Sequence, residues 1–197
     1  MRPGRVARDA YREALPALSA SLVGGLIAGV VLGGMRGALA DIPGLLVLVP
    51  ALLATRWNVY SSLGARVATA LHQGMITPRL DTVDDRLVRA CAAALAHGLL
   101  ASAFAALAVF VSLSVLPALA APAPLLGLVV LALVAGTLSG LTLTVVIVTA
   151  VFAGYRRGYD PDTLVGPLVT TTGDVFGLLF LLVAVRLTTA VGLLGGA

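Results

Sequence analysis

Five stretches of this chain, roughly 16–36, 43–72, 88–117, 123–153 and 166–190, are long and apolar enough to cross a bilayer. No other feature limits the possible folds as tightly. A helix needs about 20 predominantly apolar residues to span the hydrocarbon core. Within lipid, every backbone N–H and C=O must find a partner in its own chain, so such runs are predicted to be helices. The composition agrees: 59% of the 197 residues are hydrophobic and 11% are charged, against about 25% charged in an average soluble domain. With a mean hydropathy of +1.06, the chain cannot cover a water-facing surface. The predicted fold class is all-α integral membrane, with residues 1–197 forming one transmembrane domain. No linker, low-complexity tract or long charge run marks a second domain.

The net charge of +4 would suggest a nucleic-acid partner in a soluble protein. Here the arginines gather in short clusters beside the apolar runs, which is the topology signal of membrane proteins, and no nucleic-acid partner is expected. Arg2, Arg5, Arg8 and Arg12 precede the first run. Arg79, Arg86 and Arg89 flank the connection between the second and third runs, and Arg156 and Arg157 follow the fourth. The opposite side offers Arg36 beside Asp41 and an uncharged connection around Pro117 to Pro124. The bias puts the N-terminus in the cytoplasm and the C-terminus outside, in a multi-pass protein of the cell membrane. Arg186, near the outer end of the fifth run, can snorkel to the headgroups. The apolar stretch from Leu15 to Met35 exceeds the 7–15 residues, roughly, of a signal-peptide core, so a retained first helix is predicted.

The second run divides into an apolar half, IPGLLVLVPALLA, and a polar half, TRWNVYSSLGARVATALHQG. Pro50 removes a helical hydrogen bond between the two, so a kink or break is predicted there. At helical spacing Asn58, Ser62, Ala65, Thr69 and His72 form one stripe, with Ser61 beside it and Arg56 and Arg66 flanking it. Small neutral oxygens of this kind suit a hydrated cation, and they suit helix–helix hydrogen bonding equally. Gly25, Gly29, Gly33 and Gly37 in the first run, and Gly136 and Gly140 in the fourth, are candidate close-approach faces between helices or subunits.

The fifth run contains Asp174. A charged carboxylate at mid-membrane costs from about 3 to over 10 kcal/mol, so such a residue usually faces a partner, a polar cavity or an ion path. Thr170 and Thr171 stand one turn earlier. No lysine lies in the spans to neutralise the carboxylate, and Arg186 is three turns away. One carboxylate beside neutral oxygens favours a hard divalent ion, because Mg²⁺ keeps its waters and needs only one or two carboxylates. His72 and His97 are solitary and Cys91 is the only cysteine, so neither zinc nor a disulfide is expected. Asp81, Asp84, Asp85, Asp160 and Asp162 share their loops with arginines and read as solvated, self-neutralised connections.

VPALLATRWNVYSSLGARVATALHQG (49–74) resembles the first signature of the MgtE magnesium-transporter family, with its Pro-Ala-Leu-Leu start and Gly-Asn pair. DPDTLVGPLVTTTGDVFG (160–177) is similar to the second, a Pro-Asp-Asn turn leading into a Pro-hydrophobic-Thr helix that ends on Asp. The resemblance implies five helices per unit and a pore at a dimer interface, with the fifth-helix Asp holding hydrated Mg²⁺ near the two-fold axis. It assigns Asp174 to that role and matches Asn58 to the Asn of the Gly-Asn pair. Ser61, Ser62, Thr69, Thr170 and Thr171 become candidate pore-lining residues, while Pro50, Arg66 and Pro167 match further motif positions. Trp57 stands where the family has Gly, and Thr163 where it has Asn.

The chain is similar to a stand-alone half-size unit without the cytoplasmic regulatory domains of bacterial MgtE, so it is expected to pair with itself or with a paralogous half. The function implied is transport of Mg²⁺, the carried ion. A second reading makes the chain an accessory half that shapes a paralogous partner's pore. An enzyme is not expected. Gly158-Tyr159-Asp160 and Gly173-Asp174 are similar to parts of the intramembrane aspartyl-protease motifs, but Thr171 replaces a required glycine and Asp160 lies in a loop before Pro161. That chemistry needs two carboxylates sharing a proton.

Overall fold

The computed structural model describes the backbone of residues 3–79, 84–116, 121–158 and 161–194. Arg2, Asp81, Asp160 and the connection 117–120 lie outside the described residues, as do the side chains of Arg5, Arg8, Arg12, Asp162 and Thr163. The elements are α1 (Pro3–Gly34), α2 (Arg36–Asp41), α3 (Leu45–His72), α4 (Asp85–Val115), α5 (Leu125–Arg156) and α6 (Pro161–Ala190).

The long helices follow the apolar runs, but their ends differ from the sequence-based bounds. α1 begins at Pro3 rather than near residue 16. Proline suits a first helical turn, where its missing N–H has no partner to lose, and the following Arg, Ala and Glu are good helix formers. The basic flank is therefore helical itself. The run then ends in a separate short helix, α2, and Gly44 at φ 99° turns the chain into α3. A left-handed residue at this corner favours glycine. No break occurs at Pro50: α3 is helical from Leu45 to His72. Pro50 lies close to the helix start, so the bond it removes is one to Leu46, whose position is exposed. At the other end, Asp84 caps α4 by accepting a hydrogen bond from the Arg86 amide at 2.8 Å.

Three of the described helices are long and apolar enough to cross a membrane: α4, α5 and the Val165–Ala190 part of α6, with mean hydropathies of 2.2, 2.2 and 2.0. α1 adds a shorter apolar segment, Leu18–Gly34. The protein is an all-α membrane protein. The polar half of α3, with Arg56 and Arg66, keeps that helix out of the apolar set.

α3, α4, α5 and α6 pack together, and α1 lies against α6. The apolar interior is divided in two. One cluster joins Leu45, Leu48 and Leu52 of α3 to Val109 of α4, Leu128 and Leu131 of α5, and Leu178 and Leu181 of α6. The other joins Tyr60, Leu63 and Val67 of α3 to Ala94 of α4, Leu143 and Ile147 of α5, and Val165 and Val169 of α6. Between them, every one of the four helices carries polar or small residues: Arg56 on α3, Gly98 and Ser102 on α4, Gly136 and Ser139 on α5, and Gly173, Asp174 and Gly177 on α6. The bundle therefore has a polar layer at mid-height.

Close approach in this layer depends on missing side chains. Tyr60 is 2% exposed. A methyl group on Gly140 would collide with its hydroxyl, and one on Gly98 would lie 2.9 Å from it. A methyl on Gly136 would lie 2.7 Å from Ser102 Oγ. Gly136 and Gly140 of α5 thus serve packing inside the chain. Gly25, Gly29 and Gly33 of α1 meet nothing within 4 Å, while Gly24 takes the contact with Thr171 of α6.

Because Tyr60 is pinned from both sides, Gly140→Ala is expected to cost about 1–3 kcal/mol through overpacking. Gly25→Ala, on the open face, should leave thermal unfolding of the detergent-purified protein unchanged. Asp84→Ala removes the α4 cap and should cost about 1 kcal/mol in the same measurement.

Candidate functional site

Arg56, Trp57 and Asn58 on α3 face Thr170, Gly173 and Asp174 on α6 across an open cavity of about 350 Å³. Helical spacing explains how α6 builds its wall. Thr170, Gly173, Asp174 and Gly177 recur at three- and four-residue intervals and share one side of the helix. Thr170 Oγ1 donates to the Gly166 carbonyl at 3.1 Å, which fixes its rotamer and leaves the oxygen's lone pairs directed elsewhere. The indole of Trp57 reaches across to Gly166, where a methyl group would meet it at 3.8 Å.

Asp174 is partly buried, and no hydrogen bond or ion pair within the chain holds its carboxylate among the described residues. The one salt bridge among those residues is the exposed Arg89–Asp85 pair on α4, at 3.6 Å. Among the described residues no three His, Cys, Asp or Glu side chains converge. One chain by itself therefore offers a single carboxylate with neutral oxygens nearby. That donor set suits an ion that keeps most of its water, since direct dehydrated chelation needs more ligands.

The α3 stripe lies where its spacing predicts. Asn58, Ser62, Ala65, Thr69 and His72 are all exposed on one face. Asn58 and Ser62 also line a second cavity of about 230 Å³ with Arg66 and with His97 of α4. Ser61 is set back from this face, and its hydroxyl is buried without a hydrogen-bond partner. Thr69 sits farther along α3, toward His72, whose ring meets Tyr155 edge-on with centroids 5.6 Å apart. Thr171 does not join Asp174: it packs on Gly24 of α1, and its hydroxyl is buried and unpartnered. The structure thus gathers Asp174, Asn58 and Thr170 in one cavity, puts Ser62 beside Asn58 in the next, and leaves Ser61, Thr69 and Thr171 out of the first.

The residue that sequence reasoning treated as a mere flank is Arg56. It is 5% exposed and stands in the polar layer between Leu52 and Tyr60. Its Nε donates to Ser139 Oγ at 2.7 Å, and that hydroxyl donates in turn to the Ala135 carbonyl at 2.5 Å. Both terminal nitrogens are buried with no hydrogen-bond partner among the described residues. The signal for its position was present: Leu45, Leu48, Leu52, Arg56, Tyr60, Leu63 and Val67 recur at helical spacing on the buried side of α3.

No curated protein matches the chain. The family model of MgtE, described as a divalent cation transporter, matches residues 49–184. The matched region runs from the start of α3 into the last turns of α6 and takes in both signatures and the whole cavity between Arg56 and Asp174. The chain belongs to the MgtE family of divalent cation transporters.

Proposed function

We propose that this chain is half of a Mg²⁺ pathway in the cell membrane, completed by a second copy or by a paralogous half. The observation that carries the reading is the position of Asp174 beside Asn58 and Thr170, in a cavity that opens on the outside of the bundle. A partly buried carboxylate that makes no hydrogen bond or ion pair among the described residues, at mid-height of an apolar bundle, is too costly to face lipid. The exposed stripe from Asn58 to His72 on the adjoining helix supports the same covering. A two-fold partner would bring a second Asp174 opposite the first. Two carboxylates match the charge of one divalent ion, and that ion offsets both their burial and their mutual repulsion. The five long helices would span the membrane with the arginine-rich connections on the cytoplasmic side.

In this reading Asp174 accepts hydrogen bonds from the ion's water shell, Asn58 and Thr170 add neutral oxygens, and Ser62 extends the polar path along α3. Retaining the waters suits Mg²⁺, which dehydrates reluctantly. Trp57 favours a second reading. Its indole occupies the rim of the cavity where the family has Gly, and a narrowed half would fit an accessory subunit that shapes a partner's pore.

Expression in a Mg²⁺-requiring, transport-deficient strain tests both. The chain alone is expected to restore growth at low Mg²⁺, and Asp174→Asn to abolish the rescue with protein levels unchanged. Rescue that survives the substitution would remove Asp174 from the pathway. Rescue that appears only with a second gene product would select the accessory reading. Trp57→Gly then separates the two further: it should improve transport by an obstructed half and leave a complete one little changed.

A further inference from the structure

The buried guanidinium has no assignment in that reading, although it shares the cavity with Asp174. Three observations fix its relation to the carboxylate. The Ser139 hydroxyl of α5 accepts from Nε at 2.7 Å and so anchors the guanidinium in the bundle. A methyl group on Gly177 would stand 3.1 Å from Nη1, so the fork lies against α6 at Gly177. Gly177 is one turn from Asp174 on the same side of α6, a separation of about 5–6 Å between Cβ positions. The charge thus lines the same cavity as the carboxylate without forming an ion pair with it, and among the described residues both terminal nitrogens are left without a hydrogen-bond partner.

We infer that Arg56 is the standing counter-charge of Asp174 and sets which cations can occupy the site. The inference rests on the transport reading, in which Asp174 faces the ion. An empty half-site then holds one positive and one negative charge and is neutral, which makes both tolerable at mid-bundle. An entering ion has to compete with the guanidinium for the same carboxylate. A monovalent cation brings no more charge than Arg56 already supplies, whereas a divalent ion brings twice as much, and Coulomb attraction scales with that charge. Arg56 therefore discriminates against monovalent ions and also weakens the hold on a divalent one, which favours release.

A double-mutant cycle on the full chain, purified in detergent without divalent ions, tests the couple independently of transport. Asp174→Asn leaves the guanidinium uncompensated and is expected to lower the melting temperature by several degrees. Arg56→Met added to it should restore much of that loss. An Asp174→Asn variant as stable as the wild type would overturn the inference, and so would strictly additive effects. A double variant that folds no better than Arg56→Met would overturn it as well, since removing both charges must relieve the cost.

In proteoliposomes, Arg56→Met should lower the KM for Mg²⁺ several-fold and admit K⁺. Arg56→Lys, which keeps the charge, should retain K⁺ exclusion; equal K⁺ flux in both variants would reduce Arg56 to a packing role. The two readings fail differently. Additive stabilities with Mg²⁺ flux intact would sink the couple, and coupled stabilities without flux would sink the transport assignment.

Discussion

Arg56 donates one hydrogen bond, to Ser139 of α5, while its terminal nitrogens lie buried against α6 at Gly177. Taking such a charge out of water costs several kcal/mol even after relaxation. The bundle accommodates it by interrupting its apolar core at one level. On each helix the residues above and below that level belong to the two apolar clusters, and those within it are polar or small. Ser139 can serve as the acceptor because its own hydrogen goes to the Ala135 carbonyl one turn back, leaving its lone pairs for the guanidinium. A serine in this role adds no net charge and satisfies its donor within its own helix.

The same level requires close helix approach, and glycine supplies it. Gly98 and Gly140 leave a slot for the Tyr60 hydroxyl, Gly136 makes room for Ser102, and Gly177 lets the Arg56 fork lie against α6. These contacts decide how the glycines are used. The pair on α5 is spent inside the chain, whereas the repeat on α1 keeps an open side. Between membrane helices small residues favour association by permitting backbone contact, and which neighbour profits depends on the helix rotation. A sequence spacing alone does not contain that rotation.

Much of the fold was legible because its causes are local. The length of each apolar run required a helix, and the helical period put Asn58, Ser62, Thr69 and His72 on one face of α3. Asp174 stood out because no nearby lysine or short-range partner could offset it. What the sequence did not contain came from nonlocal facts or helix ends. Thr171 lies one position from Thr170, yet that 100° rotation turns it to α1 and away from the cavity. Pro50 did not interrupt α3, since the bond it removes falls in the opening turns, where an amide is easily spared. Trp57 was read as a substitution for Gly, and only its contact with Gly166 shows which wall of the cavity it covers.

By itself the sequence determined that this is a helical membrane protein of the MgtE type with one carboxylate in its last apolar run. Those properties follow from hydropathy, period and two linear motifs, all carried by neighbouring residues. The tertiary structure decided that Arg56 belongs to the interior and shares a cavity with Asp174, although 117 positions separate them in the chain. Helical periodicity assigns a residue to the buried side. Only the packing of α3 against α5 and α6 selects which serine receives its hydrogen bond and which carboxylate lies beside its charge, because distances between helices are set by side-chain volumes at the crossing and not by position along the chain.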